Sequence, residues 1–258
     1  MDLGISGKRA IVCASSKGLG YGCAMALAQA GVELTICSRN EDNLKIATQN
    51  LKKINSRVNS VACDLSTEEG RKKVLSVLPN PDILINNCGG PPPGSWQDWR
   101  KDDFLMAVEA NMFSPIFLIQ SVLPSMTKKG WGRIVNITSG AVKAPIPALG
   151  LSNTARAGLT GFVAGVSRQV ASSGVCINNL LPGIHDTDRI KVFDEKMSKD
   201  LKISVDKVRQ KKAMSIPVGR YGSSTEFGNM CAFLCSEHAG FIVGQNIVID
   251  GGALNATI

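Results

Sequence analysis

The sequence predicts an α/β fold in which one doubly wound parallel sheet is covered by helices on both faces. Short apolar runs of strand-like composition alternate along the chain with segments whose apolar residues recur at helical spacing. This alternation is typical of parallel sheets, because each crossover between parallel strands leaves a helix on one face. A glycine-rich turn after the first run points the same way, since it places a helix N-terminus beyond the carboxyl ends of the strands.

Seven strands are expected, with helical patterns between them. They lie near residues 8–13, 32–38, 57–63, 82–86, 132–138, 175–180 and 246–250. The chain has 258 residues, of which 44% are hydrophobic, and this is enough to bury one large core. Because no linker or low-complexity stretch divides the chain, we expect a single domain over residues 1–258.

The first strand and the turn after it form a candidate nucleotide-binding site. The turn reads Ala14-Ser15-Ser16-Lys17-Gly18-Leu19-Gly20, and small apolar residues at helical spacing follow it. Gly18 and Gly20 allow the backbone to approach a pyrophosphate, whose charge is favoured by the N–H groups and dipole of a helix N-terminus. Such turns are common in strand-helix units, so the rest of the chain has to support this interpretation.

Further motifs stand in the order and spacing of a known family. They are Asp64-Leu65, Asn86-Asn87-Cys88-Gly89, Asn111, the run 132–139 that ends at Ser139, Pro182-Gly183-Ile184 with Thr187, and the closing run 244–252. Through them the chain resembles the short-chain dehydrogenase/reductases over essentially its whole length, and in particular the 3-oxoacyl carrier-protein reductases. The family's glycine turn begins Thr-Gly, where this chain has Cys13 and Ala14.

The resemblance implies a Rossmann fold and a set of dinucleotide-binding residues. Carried over to this sequence, the set is Ser15, Ser16, Lys17, Gly18, Leu19, Gly20, Ser38, Arg39, Asp64, Leu65, Asn87, Gly89, Arg156, Pro182, Gly183, Ile184 and Thr187. It also implies a homotetramer. Its interfaces would be formed by the helices that follow Asn111 and Ser152 and by the C-terminal region 244–258.

The catalytic motif departs from the family at two positions. Where the family has Tyr-x-x-x-Lys, this chain has Ser152 and Arg156, and the usual continuation follows at 157–162. Arg156 keeps the positive charge and can bond ribose hydroxyls, although a guanidinium with a pKa above about 12 cannot relay protons. Ser152 is a far weaker acid than a phenol of pKa about 10, so alone it should be a poor proton donor.

Other residues of the expected site are retained or could compensate. The resemblance implies that Ser139 polarises a carbonyl oxygen and that Asn111 kinks its helix and holds a water of the proton relay. His185 follows the Pro182-Gly183-Ile184 motif, and its ordinary pKa of about 6.5 suits proton transfer, although the sequence favours a partly exposed loop histidine without a role. Cys88 replaces the family's Ala and is interpreted as a packing residue.

The end of the second strand indicates NADP(H) as the cofactor. An acidic residue there typically binds the ribose hydroxyls of NAD, whereas a 2′-phosphate requires cations. This chain has Ser38-Arg39-Asn40 and no carboxylate at that position. Arg39 can bind the phosphate with its planar fork, and Lys17 can add a second charge from the glycine turn.

The net charge of +8 and the pI near 9.1 come from scattered basic residues, so we expect no nucleic-acid surface. Eight of them lie between Lys191 and Lys212, within the segment 186–216 that forms a substrate flap in the family. This segment has two interpretations. It attracts an anionic carbonyl substrate, either small or carrier-bound, or it is an amphipathic helix whose charged face is simply exposed to solvent.

The sequence gives little indication of disulfides, metal sites or membrane segments. Cys13, Cys37, Cys63 and Cys176 lie in or beside strand-like runs, where cysteine is usually a small buried hydrophobe, and no metal-ligand spacing is present. The N-terminus lacks a signal-peptide pattern, and no uninterrupted apolar segment approaches the roughly 20 residues that span a bilayer. We expect a cytoplasmic protein without a membrane segment.

Three functions remain open at this point. The first is an NADPH-dependent reductase of a keto or 3-oxoacyl substrate with a non-standard proton donor. The second is a catalytically silent NADP(H)-binding sensor or assembly protein. The third is a non-redox dehydratase or isomerase in the same pocket, in which Arg156 would bind a carboxylate or enolate oxygen.

Overall fold

The centre of the molecule is a seven-stranded parallel sheet, as the sequence predicted. The computed structural model describes residues 1–256. The strands are β1 (Arg9–Val12), β2 (Glu33–Ser38), β3 (Val58–Ala62), β4 (Ile83–Asn86), β5 (Gly132–Ile137), β6 (Val175–Pro182) and β7 (Asn246–Ile249). Across the sheet they follow the order β3-β2-β1-β4-β5-β6-β7, and all neighbours are parallel. The order reverses between β1 and β4, which opens a crevice at their carboxyl ends.

Helices cover both faces of the sheet, which confirms the doubly wound architecture. The α-helices are α1 (Gly18–Gln29), α2 (Glu41–Lys52), α3 (Glu68–Val77), α4 (Lys101–Val108), α5 (Ser114–Lys129), α6 (Gly150–Val170), α7 (Asp188–Leu201), α8 (Val205–Met214) and α9 (Ser224–Leu234). Buried residues of α1, α2 and α9 form the core on one face. Those of α3, α5 and α6 form the core on the other.

Helices α1 and α9 approach each other through glycine. A Cβ atom on Gly22 would collide with the carbonyl oxygen of Ser224, and a Cβ atom on Gly228 would collide with the carbonyl oxygen of Gly22. Only glycine permits this separation of the two backbones. Because α1 begins at the glycine turn, the contact also fixes the helix whose N-terminus faces the crevice.

One helical stretch, Lys101–Lys129, is long and apolar enough to cross a membrane by length and composition, which the sequence analysis did not expect. It comprises α4, a π-helical turn at Glu109–Phe113, and α5. Only 39% of its most apolar window is buried, and its exposed apolar side chains include Leu105, Met106, Phe113 and Phe117. Since α5 packs on β4 and β5, the stretch occupies the place of a helix that flanks the sheet of an α/β domain.

Helices α7 and α8 lie in the segment 186–216 and are joined by a buried carboxylate. The side chain of Asp194 is inaccessible to solvent and accepts hydrogen bonds from Arg209 Nη1 at 3.1 Å and from Lys212 Nζ at 2.7 Å. The hydroxyl of Tyr221 lies 3.3 Å from the same carboxylate. Burial and the charge of Asp194 raise the pKa of Tyr221 to about 12, so this phenol stays protonated. The network ties both helices to the segment that precedes α9.

Candidate active site

The N-terminus of α1 lacks the side-chain cap that neighbouring helices have. Lys17 occupies the capping position with an extended backbone and no side-chain hydrogen bond to the helix, and the first turn holds no acidic residue. Asn40 and Thr67, in comparison, cap α2 and α3, and each is followed by two acidic residues. Free N–H groups at a helix N-terminus favour phosphate. The glycine turn therefore fits the pyrophosphate of a dinucleotide.

The turn itself is tightly packed. A Cβ atom on Gly20 would collide with the carbonyl oxygen of Ala14, which also accepts a hydrogen bond from Asn87 Nδ2 at 3.2 Å. Ala14 has φ +44°, in the left-handed region that favours the glycine found in the family. The hydroxyl of Ser15 is buried and donates to the carbonyl oxygen of Val12 at 2.6 Å. Ser15 therefore shapes the turn from inside and does not point into the crevice.

The residues on either side of Lys17 border the crevice. Ser16 and Leu19 are half-buried. Gly18 has φ +61°, and a Cβ atom there would lie 3.7 Å from the Thr187 side chain, so the turn meets the residue that precedes α7. Lys17 Nζ lies 4.0 Å from the carboxylate of Asp188, the first residue of α7. Both of these charged side chains are more than half exposed, so the pairing is weak and can be exchanged for a phosphate.

Arg39 lies beside the crevice, between the segments that follow β2 and β4. It follows Ser38 at the end of β2, and its Nη1 lies 3.9 Å from the Asp64 carboxylate. Its Nη2 lies 4.0 Å from the position of a Cβ atom on Gly89, beyond β4. Despite partial burial, hydrogen bonds from Ser66 and the charge of Arg39 hold the pKa of Asp64 below its usual value. The Arg39 side chain is 75% exposed, so its fork can reach an incoming phosphate.

Ser152 and Arg156 lie one turn apart on α6 and contact each other. Arg156 Nε donates to Ser152 Oγ at 3.1 Å, and Nη1 donates to the carbonyl oxygen of Ile137 at the end of β5 at 2.8 Å. Both side chains are buried. Ser139 follows β5, and its Oγ accepts a hydrogen bond from the N–H of Ala141 at 3.1 Å. The proton of that hydroxyl remains available to a carbonyl oxygen.

Asn111 lies in the π-helical turn between α4 and α5, so the helix is distorted at the expected residue. It is buried, and its Oδ1 accepts a hydrogen bond from Cys88 Sγ at 3.1 Å. A cavity behind these two residues is also lined by Leu65, Ser114 and Arg156. Cys88, interpreted from the sequence as packing, is thus also a hydrogen-bond donor inside the site. Burial raises the pKa of its thiol in spite of nearby arginines.

Comparison with known proteins agrees with this architecture. Residues 13–254 match a family model described as enoyl-(acyl carrier protein) reductase. The chain belongs to the short-chain dehydrogenase/reductase family. It is 31% identical to the 3-oxoacyl-[acyl-carrier-protein] reductase FabG of Aquifex aeolicus, over 98% of this chain and 99% of that protein. It is also 31% identical to the NADPH-dependent reductase BacG of Bacillus subtilis, over 98% of this chain and all of that protein.

A solved structure shows the same likeness in three dimensions. The L-sorbose reductase of Gluconobacter frateurii, crystallised with NADPH and L-sorbose, superposes with a TM-score of 0.94 at 29% identity. The match covers 99% of this chain and 100% of the reductase chain. The family resemblance and the Rossmann architecture expected from the sequence are thereby confirmed.

The loop after β6, which contains the Pro182-Gly183-Ile184 motif, is held in place by backbone hydrogen bonds. Pro182 ends β6, and the N–H of Gly183 donates to the carbonyl oxygen of Ile249 at 2.9 Å. The carbonyl oxygen of Ile184 accepts a hydrogen bond from the N–H of Gly222 at 3.0 Å. These bonds hold the loop against the end of β7 and the segment before α9, so that Thr187 emerges beside the glycine turn.

His185 is buried against α9. Its side chain is 3% exposed and meets the Phe227 ring of α9 edge to face at 5.2 Å. Its Nδ1 lies 3.2 Å from the carbonyl oxygen of Gly183, and its ring fills the space beside Gly222 that a Cβ atom would need. Burial lowers its pKa, which favours the neutral ring. These contacts hold the ring inside the fold, and a role for His185 in proton transfer stays a prediction from the sequence.

Arg189 of this short-chain dehydrogenase/reductase lies beside the candidate site and was not singled out from the sequence. Arg189 lies in the first turn of α7, and its Nη2 donates to the carbonyl oxygen of Pro91 at 3.3 Å. Partial desolvation and the positive charge of Arg156 lower its pKa. The one available signal was its position two residues after Thr187, at the point where the family's flap begins.

Proposed function

We propose that this protein is an NADP(H)-dependent reductase of a keto or 3-oxoacyl compound, in which Ser152 and Arg156 replace the family's Tyr and Lys. The observation that carries the proposal is the hydrogen bond from Arg156 Nε to Ser152 Oγ. Because the guanidinium occupies a lone pair of that oxygen, the hydroxyl must direct its own proton to another acceptor. A carbonyl oxygen in the site is such an acceptor.

The cofactor preference rests on Arg39 and Lys17. Their cationic groups lie on two sides of the adenosine end of the crevice, and neither is held by a close ion pair. The NADPH bound by the related sorbose reductase and the NADPH dependence of BacG support the same preference. When bound, NADPH supplies the hydride that reduces the carbonyl carbon.

The residues of this chain then have defined tasks. The hydroxyls of Ser139 and Ser152 donate hydrogen bonds to the carbonyl oxygen, where negative charge develops as the hydride arrives. The guanidinium of Arg156 stabilises that charge from behind Ser152. The oxygen takes a proton from Ser152, which water reprotonates, and the product is an alcohol. Asn111 and Cys88 hold the buried wall of the site.

The test is NADPH oxidation, followed by absorbance, with 2-oxo acids, 3-oxoacyl thioesters and neutral ketoses as substrates. We expect turnover with at least one class, and a loss of about 100-fold or more in kcat for Ser152→Ala, in the range usual for a group that assists proton transfer. NADPH binding without turnover of any compound would instead favour the silent binder. Substrate conversion without NADPH oxidation would favour the non-redox reaction.

The assembly and location form part of the same proposal. We propose that the whole chain acts as one domain, with residues 186–216 as the substrate flap, in a cytoplasmic homotetramer. The exposed aromatic pair Phe113 and Phe117, whose rings stack 5.9 Å apart, supports burial of the α4–α5 face against a second copy. Light scattering coupled to gel filtration would give the mass, and Phe113→Asp should lower it to that of smaller species.

A further inference from the structure

Two arginines at the substrate end of the crevice have no carboxylate partner within residues 1–256. Arg156 donates to Ser152 Oγ and to a main-chain carbonyl, and Arg189 donates to the carbonyl oxygen of Pro91. Arg39 and Arg71, in comparison, lie 3.9 and 3.3 Å from carboxylates. Burial and the positive charge of Arg156 lower the pKa of Arg189, so the two guanidinium groups repel each other and favour an anionic ligand between them.

The guanidinium of Arg189 packs against Gly90 and lies near the Phe193 ring. A Cβ atom on Gly90 would lie 2.6 Å from Nη1 and 2.7 Å from Nη2, so the group lies flat on the backbone of this glycine. The Phe193 ring, one turn further along α7, lies 5.5 Å from the guanidinium carbon. These contacts hold the planar group beside the segment that follows β4, while much of the side chain stays open to solvent.

The neighbouring residues separate this place from the pyrophosphate site. Asp188 turns towards Lys17 at the N-terminus of α1, whereas Arg189 turns towards Gly90 and Pro91. The uncapped helix and Lys17 already provide the groups that a pyrophosphate requires. The positive charge of Arg189 is therefore available to bind a second anion, closer to Arg156.

We propose that Arg189, with Arg156 behind it, binds a carboxylate of the carbonyl substrate and so selects 2-oxo or 3-oxo acids over neutral ketones. This inference rests on the reductase function proposed above. A guanidinium presents two parallel N–H donors that match the two oxygens of a carboxylate. In the reaction proposed above, the carbonyl of that acid then accepts hydrogen bonds from Ser139 and Ser152.

The experiment compares the parent enzyme with Arg189→Gln and, as a control, with Lys196→Gln, which removes one exposed charge from the same helix. Kinetics are measured with each oxo acid and its methyl ester, and NADPH affinity is measured by calorimetry. We expect Arg189→Gln to raise KM for the acid at least tenfold, and to leave KM for the ester and the Kd for NADPH within twofold. Equal losses on acid and ester, or a loss of NADPH affinity that indicates a pyrophosphate contact, would overturn the proposal.

A binding measurement separates this inference from the proposed reaction. Oxamate, a non-reducible analogue of a 2-oxo acid, is titrated into the NADPH complex. Binding by the parent and by Lys196→Gln, with at least tenfold weaker binding by Arg189→Gln, supports the carboxylate site even if no carbonyl compound is turned over. If the parent turns over oxo acids but all three proteins bind oxamate alike, the reductase proposal stands and the role of Arg189 is refuted.

Discussion

Arg156 donates to the hydroxyl oxygen of Ser152 across 3.1 Å, so the residues at the positions where the resemblance places the family's Tyr and Lys form one hydrogen-bonded unit. The same guanidinium also donates to the carbonyl oxygen of Ile137 at 2.8 Å and thereby links α6 to the end of β5. The planar fork satisfies both acceptors at once from a buried position. Lysine is not a conservative replacement for arginine in such a place.

The first prediction concerns this unit. We expect Arg156→Lys to lower kcat at least tenfold, because a single ammonium loses the fixed geometry that orients Ser152. The double variant Ser152→Tyr with Arg156→Lys should exceed the single variant in NADPH oxidation, since a phenol of pKa about 10 supplies a stronger acid. Arg168→Lys, near the far end of α6, serves as the control. A fully active Arg156→Lys would contradict the role given to the guanidinium.

The second prediction concerns cofactor choice. Arg39→Glu should weaken NADPH binding by about 100-fold, because a carboxylate repels the 2′-phosphate and can accept hydrogen bonds from ribose hydroxyls instead. NADH binding should be unchanged or stronger. Lys128→Glu makes the same change of charge on the exposed end of α5 and should affect neither. Calorimetry with both dinucleotides measures the ratio, and equal losses for NADPH and NADH would argue against a phosphate contact.

The fold was predictable because each of its signals is local. The seven strands are recognisable as apolar runs, and the bounds predicted for them differ from the observed bounds by at most two residues at either end. Arg39 was assigned in the same way, since it is the residue next to the end of β2. Position along a strand fixes which end of the sheet a side chain occupies, so this kind of inference needs no knowledge of long-range packing.

The inner part of the site could not be read from the sequence, because its contacts join distant segments. Arg189 meets Pro91 across 98 positions, and the hydrogen bond from Cys88 to Asn111 depends on how α4 and α5 pack beside β4. The burial of His185 is set by Phe227 of α9, far along the chain. No local pattern encodes such pairings, which depend on crossover connections and on glycines that allow close approach.

The third prediction concerns strain in the glycine turn. Ala14 has φ +44°, where a Cβ atom is disfavoured by about 1–2 kcal/mol, part of which is offset by the greater freedom of glycine in the unfolded chain. Ala14→Gly should therefore raise the free energy of unfolding by about 0.5–1 kcal/mol. Ala30→Gly, at φ −81°, should not raise it. Denaturant titrations of both variants provide the comparison, and a destabilised Ala14→Gly protein would show that the strain is absent.

The fourth prediction concerns the flap. Asp194→Asn keeps the shape of the side chain but removes the negative charge that Arg209 and Lys212 share, and breaking a buried pair typically costs about 3–5 kcal/mol. We expect faster proteolysis within 186–216 and a higher KM for substrate, with little change in NADPH affinity. Asp200→Asn, an exposed residue of the same helix, is the control. Cleavage rates equal to those of the parent would mean that the network does not hold the flap.

The last prediction separates His185 from catalysis. Burial lowers the pKa of His185, so between this value and the unfolded value of about 6.5 the unfolded chain binds more protons than the folded one. The contribution of this group to stability is therefore complete above pH 6.5 and decreases as the pH falls towards its folded pKa. His185→Gln should make the decline in unfolding free energy between pH 7 and pH 5 shallower. The pH dependence of kcat should be the same in the parent and in His185→Gln, because the His185 ring lies against Phe227. If the acidic limb of the kcat profile moved in His185→Gln, the proton would pass through this imidazole and the assignment to Ser152 would be wrong.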